Sequence, residues 1–145
     1  MPVVLIKSPN ATGNGDPAKI QGALMCAADT HTNLATDNSG SKYLIDAFPS
    51  ECILDSRTYF NVSNWGYADI RIGTFTDPIA LVNVAKITGP TVFPIAQGDA
   101  RHAKPLWQQL GLLVDPGGEI GLYIHGIANA VAAGTMLSEI HYRFR

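Results

Sequence analysis

The C-terminal stretch 119–145 constrains the fold more than any other part of the chain, because apolar and polar residues alternate there in two runs. The runs flank the small-residue segment 129–134, and this pattern is typical of two antiparallel strands joined by a turn. Such a hairpin has one dry face, which a second sheet must cover. The sequence therefore predicts an all-β fold. The dry face comprises Ile120, Leu122 and Ile124 in the first arm and Met136, Ile140, Tyr142 and Phe144 in the second.

Short apolar or alternating runs continue this pattern through the rest of the chain. Further strands are predicted at 18–28, 43–48, 51–54, 57–62, 67–73 and 91–96. Residues 23–28 would suit a helix equally well. Residues 29–41 are predicted to form a loop. A short helix is predicted after Pro78, although the β-branched residues of 79–87 favour a strand as well. One helical turn is predicted at 105–110, closed by Gly111. The expected architecture is a jelly-roll-like antiparallel β-sandwich with one or two short helices in its connections.

The length of 145 residues fits one domain with one core. We expect residues 1–16 to form a flexible N-terminal arm or strand, since an apolar run at 2–7 is followed by a turn-rich segment. Residues 17–145 are expected to form a single β-sandwich domain. The N-terminus lacks the basic start and full apolar core of a signal peptide, so none is expected.

The charge of the chain is low and evenly spread. Charged residues make up 15% of the sequence and the net charge is −2, with no basic patch and no acidic run. These properties argue against nucleic acid or a membrane as a partner. A surface so poor in charge is typical of a protein that is partly covered by another protein.

Residues with reactive side chains are few, and no catalytic motif organises them. We expect Cys26 and Cys52 to be reduced thiols in apolar surroundings. His125, His141 and Glu139 fall on the polar face of the predicted hairpin, but a metal site requires three or four ligands with supporting contacts. We therefore expect surface or interface histidines, no enzymatic activity and no cofactor. The charged loop 97–104 is expected either to fasten a connection through an Asp–Arg pair or to make a contact across an interface, with a small-ligand or catalytic site as the alternative.

Aromatic residues on the outer faces of strands predict a protein interface, because exposed tyrosines are favoured anchors there. Ordinary cross-strand pairs remain the alternative. The candidate interface residues are Tyr59, Trp65, Tyr67, Tyr123, His125, His141 and Arg143.

Four segments carry a resemblance to a known family: Tyr67-Ala-Asp-Ile-Arg-Ile-Gly73, Ala96-Gln-Gly-Asp-Ala-Arg-His102, Leu112-Leu-Val-Asp-Pro-Gly-Gly118 and Ala133-Gly-Thr-Met-Leu-Ser-Glu-Ile-His-Tyr-Arg-Phe-Arg145. Their strands and turns resemble those of small virion proteins of tailed bacteriophages. More narrowly, the chain is similar to the capsid cement, or decoration, proteins of short-tailed phages. The resemblance covers residues 60–145 and rests on turns and strands rather than on chemical motifs.

The resemblance implies a jelly-roll virion protein that is made in the host cytoplasm and performs no chemistry. Such a protein would bind the outer surface of the capsid as a dimer or trimer and stabilise the shell. Its partners would be further copies of itself and the major capsid protein. The implied contact residues of the N-terminal arm are Val3, Leu5 and Lys7.

Two other functions stay open from the sequence. One is a carbohydrate- or receptor-binding virion jelly-roll, in which Trp65, Trp107 and acidic loop residues would line a shallow groove. A metal-dependent enzyme of the cupin type would instead use the hairpin histidines and Glu139, but the closely spaced His-x-His of cupins does not occur.

Overall fold

The strands of this chain divide between two antiparallel sheets that pack face to face. The computed structural model describes residues 23–144. The elements are β1 (Met25–Asn33), β2 (Ser41–Pro49), β3 (Ile53–Leu54), β4 (Tyr59–Asn61), β5 (Asp69–Gly73), β6 (Val82–Ala85), a short 3-10 helix (Lys86–Thr88), β7 (Thr91–Val92), α1 (Leu106–Gln109), β8 (Glu119–Gly126) and β9 (Gly134–Arg143). The all-β class expected from the sequence is confirmed.

The strand order is that of a jelly roll. The first sheet has the order β1-β9-β4-β7, with β3 also pairing with β9, and the second has the order β2-β8-β5-β6. The chain therefore passes repeatedly from one sheet to the other, for example between β1 and β2, between β4 and β5, and between β8 and β9. This repeated crossing confirms the jelly-roll-like sandwich.

The predicted C-terminal hairpin is wrong, although its dry faces are right. Strand β8 pairs with β2 and β5, whereas β9 pairs with β1, β3 and β4. The two strands lie in opposite sheets, and their apolar faces meet across the core instead of side by side. Alternation specifies which face of a strand is dry, but it does not specify the neighbouring strand.

The predicted helix after Pro78 is also wrong, and the strand that the β-branched residues favoured is present. Val82–Ala85 form β6, in which Val82 lies opposite Ile72 of β5. The short helix near 105–110 is confirmed as α1, and Gly111 follows it with a φ of 81°. The loop predicted at 29–41 begins later than expected, because β1 continues to Asn33.

The core lies between the sheets and is filled by large apolar side chains. Both cysteines are free thiols, and burial raises the pKa of Cys52 to about 12. Within residues 23–144 no helix has the length and apolar character needed to cross a membrane. The largest fully buried side chains include Phe48, Ile53, Leu54, Phe60, Ile70, Ile72, Leu122 and Ile124.

Candidate interaction surfaces

One end of the sandwich is built from four connections that are bonded to one another. We call it the four-loop end; it comprises residues 34–40, 62–68, 86–90 and 127–133. Backbone hydrogen bonds join each of these connections to another one. The bonds run from Ala130 N to Asp37 O (3.0 Å), from Val131 N to Gly66 O (2.8 Å), from Val62 N to Pro90 O (2.8 Å) and from Lys86 N to Ala68 O (2.8 Å).

The side chain of Asn33 fixes this end from within. It is fully buried at the end of β1. Its Oδ1 accepts a hydrogen bond from Gly66 N at 3.0 Å, and its Nδ2 donates to Ala132 O at 2.8 Å and to Leu34 O at 3.1 Å. One amide thus satisfies backbone groups of three connections. A backbone group that is buried without a hydrogen-bond partner lowers the free energy of unfolding.

An aromatic cluster lies beneath the four-loop end and corrects part of the predicted interface. Trp65 and Tyr67 are only 1% and 2% exposed, so neither is an exposed anchor. The Trp65 ring packs edge-on against Tyr43 with centroids 5.2 Å apart. The Tyr43 hydroxyl contacts the Tyr67 hydroxyl at 2.8 Å and donates to Asp37. Because β5 begins only at Asp69, the outward alternation predicted for Tyr67 does not reach it.

Apolar side chains project from three of the connections at the four-loop end. The surrounding backbone is held by the hydrogen bonds described above, so the positions from which these side chains project are fixed. Aliphatic groups exposed in this way are common at protein contacts. Their exposed fractions are 61% for Leu34, 92% for Ile87, 42% for Ile127 and 70% for Val131.

The opposite end is organised around the short helix α1. We call it the α1 end; it comprises residues 50–52 and 105–118, beside the start of β1 and the end of β9. The buried Gln109 side chain bonds both the amide and the carbonyl of Leu54 at 3.1 Å, and donates to Arg101 O at 3.3 Å. Gln109 therefore holds the helix to β3, as Asn33 holds the connections at the other end.

Beyond the helix, the chain at the α1 end is exposed along its whole length from residue 111 to residue 119. Leu113 is 94% exposed and Val114 is 75% exposed. The segment is anchored at Asp115, whose carboxylate accepts a hydrogen bond from Ser50 Oγ at 2.7 Å. That bond, followed by one from the Gly117 amide, lowers the pKa of Asp115. Two consecutive aliphatic side chains are thus presented directly to solvent.

A polar cluster lies on the outer face of the first sheet, and it contains two of the predicted interface residues. We define the polar cluster as Cys26, Tyr59, Glu139 and His141, all half-buried. Tyr59 OH donates to Glu139 Oε2 at 2.9 Å, and His141 Nε2 donates to Glu139 Oε1 at 2.8 Å. The hydrogen bonds from His141 and Tyr59 lower the pKa of Glu139. Cys26 Sγ lies 4.0 Å from the same His141 nitrogen.

The polar cluster lacks the geometry of a thiol-dependent catalytic triad. In such a triad the imidazole uses one nitrogen for the nucleophile and the other for the acid. Here Cys26 and Glu139 both face Nε2 of His141. Burial, followed by the charge of Glu139, also raises the pKa of Cys26, which disfavours the nucleophilic thiolate.

His125 lies apart from the polar cluster, because it belongs to β8 in the second sheet. It is 4% exposed, its Nε2 contacts Thr74 O at 2.7 Å, and burial lowers its pKa. The shared polar face predicted for His125 and His141 is therefore wrong. The ligand set of the predicted cupin-type site, which needed both histidines, is not brought together. Cys26 was missed because only the pairing of β1 with β9 places it opposite His141.

The outer face of the second sheet carries an aromatic pair. The ring of Tyr123 packs edge-on against Phe75 with centroids 5.4 Å apart, and Lys42 Nζ lies 3.8 Å from the Phe75 ring centroid. Phe75 is 56% exposed. Tyr123 is therefore placed on an accessible face, as the sequence predicts, while Phe75 was not among the predicted interface residues. Arg143 is half-buried at the end of β9, opposite Ile53 of β3.

The charged loop 97–104 fastens a connection, as expected. Arg101 Nη2 bonds Asp99 Oδ2 at 3.0 Å and Pro94 O at 2.6 Å. The side-chain and backbone bonds that Arg101 donates to Asp99 lower the pKa of that carboxyl. The functional groups of this loop are thus engaged in holding its own backbone, and His102 is exposed beside them.

An open groove of about 610 Å³ runs beside the first half of β2. Its walls include Thr32, Lys42, Leu44 and Asp37. The Asp37 carboxylate already accepts hydrogen bonds from Leu34 N and from the Tyr43 hydroxyl, and the Tyr43 bond is the main cause that lowers its pKa. Neither tryptophan predicted for a carbohydrate groove is among the described residues of its walls.

The predicted arm at 1–16, with Val3, Leu5 and Lys7, lies outside the described residues. Comparison with known proteins gives no relative to set beside this chain: no family model, no curated protein and no solved structure matches it. A function for this chain therefore has to be inferred from its surfaces.

Proposed function

We propose that this chain is a structural virion protein that binds the outer surface of a phage capsid as an oligomer and cements the shell. The observation that carries the proposal is the exposed pair Leu113 and Val114, 94% and 75% accessible at the α1 end. Adjacent aliphatic side chains held clear of the fold are typical of a surface that another protein covers. The jelly-roll sandwich is compatible with this role, and virion proteins are among its common users.

The position at which β1 begins supports the α1 end as the side that meets the shell. Strand β1 begins at Met25 opposite Tyr142, near the end of β9, so the preceding residues join the fold at the α1 end. An arm that contacts capsid subunits through Val3, Leu5 and Lys7 would start at the same end of the sandwich as the exposed segment 111–119. Both elements could then contact the same shell.

The second sheet supplies the surface that we propose for self-association. Phe75 belongs to the connection between β5 and β6, and its exposed ring packs against Tyr123 of β8 and lies beside Lys42 of β2, on the outer face of the second sheet. Aromatic rings of this kind are favoured at the centre of protein interfaces. Association through this face would leave the α1 end of each copy free for the shell. The protein would then be made in the host cytoplasm and reside on the capsid exterior.

Sedimentation with capsids tests the shell contact. Purified protein is mixed with empty shells of the major capsid protein encoded in the same genome, and the amount that co-sediments is measured. We expect the wild type to co-sediment and the double variant L113S/V114S to lose at least tenfold in affinity. The matched control is Ile87→Ser, which removes a 92% exposed aliphatic group at the four-loop end. Failure of the wild type to bind shells would refute the proposed function.

Light scattering tests the oligomer independently of the shell. At micromolar concentration we expect a dimer or trimer, and we expect Phe75→Ser to shift the mass towards the monomer. Phe93→Ser is a suitable control, since Phe93 is exposed to a similar extent, 54%, on another surface. A monomeric wild type would remove self-association from the proposal.

The groove beside β2 keeps a carbohydrate-binding role as a second candidate. The tryptophans expected to line such a groove do not support it, because Trp65 is buried and Trp107 is half-buried against the core. A glycan array with the wild type and with Lys42→Ala measures it. Glycan binding that Lys42→Ala abolishes would favour this candidate over the cement function.

A further inference from the structure

The structure brings together three side chains whose chemistry suits a metal ion and which the proposed function does not use. We propose that Cys26, Glu139 and His141 bind one divalent transition-metal ion of the zinc class. One ligand atom from each residue lies within 4.8 Å of the other two. This site lies on the outer face of the first sheet and requires no partner molecule.

The backbone fixes the relative positions of the three ligands. Cys26 of β1 lies directly opposite His141 of β9 in the antiparallel register. Glu139 lies two residues before His141 on the same strand, so both side chains project from the same face. Sites built on strands hold their ligands more accurately than sites built on loops.

Two of the three ligand separations need only a small side-chain adjustment to accept zinc. The sulfur of Cys26 is 4.0 Å from His141 Nε2, and Glu139 Oε1 is 2.8 Å from that nitrogen. Around tetrahedral zinc the corresponding separations are about 3.6 Å and 3.3 Å, from the usual metal–ligand lengths. One separation closes and the other opens by about half an ångström. The ion would replace the His141–Glu139 hydrogen bond.

Tyr59 supplies the outer support that metal-binding carboxylates usually have. It lies opposite Glu139 on β4, which pairs with β9 on the side away from β1. Its hydroxyl donates to Oε2 of Glu139 at 2.9 Å, which leaves Oε1 directed at His141. Such outer contacts orient a ligand and strengthen its metal affinity. Tyr59 is therefore assigned as a positioning residue.

The ligand types define the class of ion. Thiolate and imidazole select zinc-like ions over magnesium or calcium, which prefer oxygen ligands alone. Three protein ligands leave a fourth tetrahedral position, and the partial exposure of His141 (16%) and Glu139 (30%) gives water access to it. A bound ion would tie β1, at the edge of the sheet, to the central strand β9.

Metal content after loading tests the site. The full chain, without a histidine tag, is incubated with Zn²⁺ and dialysed against metal-free buffer. The number of zinc ions per chain is then measured by elemental mass spectrometry. We expect about one ion per chain. The variants Cys26→Ser and His141→Gln are expected to fall below a tenth of that value, whereas Cys52→Ser, which removes the other thiol, keeps it. Zinc retained equally by Cys26→Ser would overturn the proposal.

Cobalt spectroscopy of the wild type needs no variant and therefore does not depend on how variants fold. Co²⁺ bound at this site is expected to give a thiolate-to-cobalt charge-transfer band that excess Zn²⁺ removes. Absence of the band at saturating Co²⁺ would overturn the site. Tyr59→Phe is expected to keep the band but weaken affinity about tenfold. None of these readouts involves a capsid, so they stand apart from the test of the cement function.

Discussion

Both ends of the sandwich use a buried side-chain amide to satisfy backbone groups, but the connections at the two ends differ in how they are held and exposed. Each end uses one buried amide, Asn33 or Gln109, to satisfy backbone groups of neighbouring segments. At the four-loop end every connection is also bonded to another connection. At the α1 end the amide holds the helix, but every residue of the following segment 111–119 is exposed.

This difference separates two kinds of surface. The apolar groups at the four-loop end project from backbone that is held by hydrogen bonds, so the binding of a partner there would cost little conformational entropy. At the α1 end, segment 111–119 is bonded near its two ends, through Leu112 N to Trp107 O and through Ser50 N to Gly118 O, while Leu113 and Val114 between them are exposed. The local stability around these two exposed residues is therefore expected to be lower. A lower local stability suits a segment that adapts to a partner when it binds.

The largest expected effect comes from breaking the closest backbone contact of the four-loop end. A Cβ added at Gly66 would lie 2.0 Å from Ala132 O and 2.4 Å from Asn33 Nδ2. Backbone atoms cannot move away from the added Cβ without straining the structure, so we expect Gly66→Ala to lower the free energy of unfolding by about 3 kcal/mol or more. Urea denaturation measures it.

The control for Gly66→Ala is Gly89→Ala at the same end. Nothing lies within 4 Å of the added Cβ, and the φ of Gly89, 168°, is extended. We expect a change within about 0.5 kcal/mol. Equal effects of the two substitutions would show that close packing at Gly66 is unimportant.

Removing the amide of Asn33 tests the clamp itself. Asn33→Ala leaves the buried Gly66 N without this partner and also removes the bond to Ala132 O, so we expect a loss of about 2–3 kcal/mol of unfolding free energy. Gln109→Ala is the matched change at the α1 end. Hydrogen exchange monitored by mass spectrometry should rise across 127–133 only for Asn33→Ala. Faster exchange there in both variants would mean that the ends are coupled.

Acid should weaken the molecule first through its buried histidines. His31 is fully buried in β1, with Nε2 2.9 Å from Ser138 Oγ, and burial lowers its pKa while Asp29 partly opposes this. As the pH falls, His31 therefore binds a proton in the unfolded state before it does so in the folded state. Stability is full above the unfolded pKa of about 6.5 and falls below it, by at most about 1.4 kcal/mol per pH unit for each such group.

The pH dependence has a direct control. His31→Gln should flatten the unfolding free energy between about pH 6.5 and pH 5, leaving the contribution of His125 in the same range. The lowered pKa of Asp115 at the α1 end acts only at more acidic pH. An unchanged slope in the variant would contradict neutral burial of His31.

The smallest effect on stability is expected at the exposed segment of the α1 end. L113S/V114S should change the free energy of unfolding by no more than about 0.5 kcal/mol, because neither side chain is buried. Amides in 112–118 should exchange faster than those in 127–133. Strong protection of 112–118 in the isolated protein would remove the contrast between the ends.

The sequence predicted the dry faces of the strands but not their partners. Alternation assigned Leu122, Ile124 and Ile140 to dry faces because each strand has period two, and all three side chains are buried. Pairing depends on contacts between residues far apart in the chain. The jelly-roll crossing between β8 and β9 therefore replaced the expected hairpin.

The candidate site shows the same limit. Glu139 and His141 were predicted to share a face, which two-residue spacing on one strand requires. The sequence did not predict that Cys26 lies next to these two residues, because it is 115 residues from His141 along the chain. Tyr67 was misplaced because the connection before β5 turns its side chain into the aromatic cluster.

The connection at 86–90 offers a practical use of the fold as a display scaffold. Ile87 is 92% exposed and the space around Gly89 is open. Insertions are tolerated best at exposed tips of this kind. A peptide epitope inserted after Ile87 would point away from the α1 end, and with the protein bound to a shell it would be presented outward in many copies.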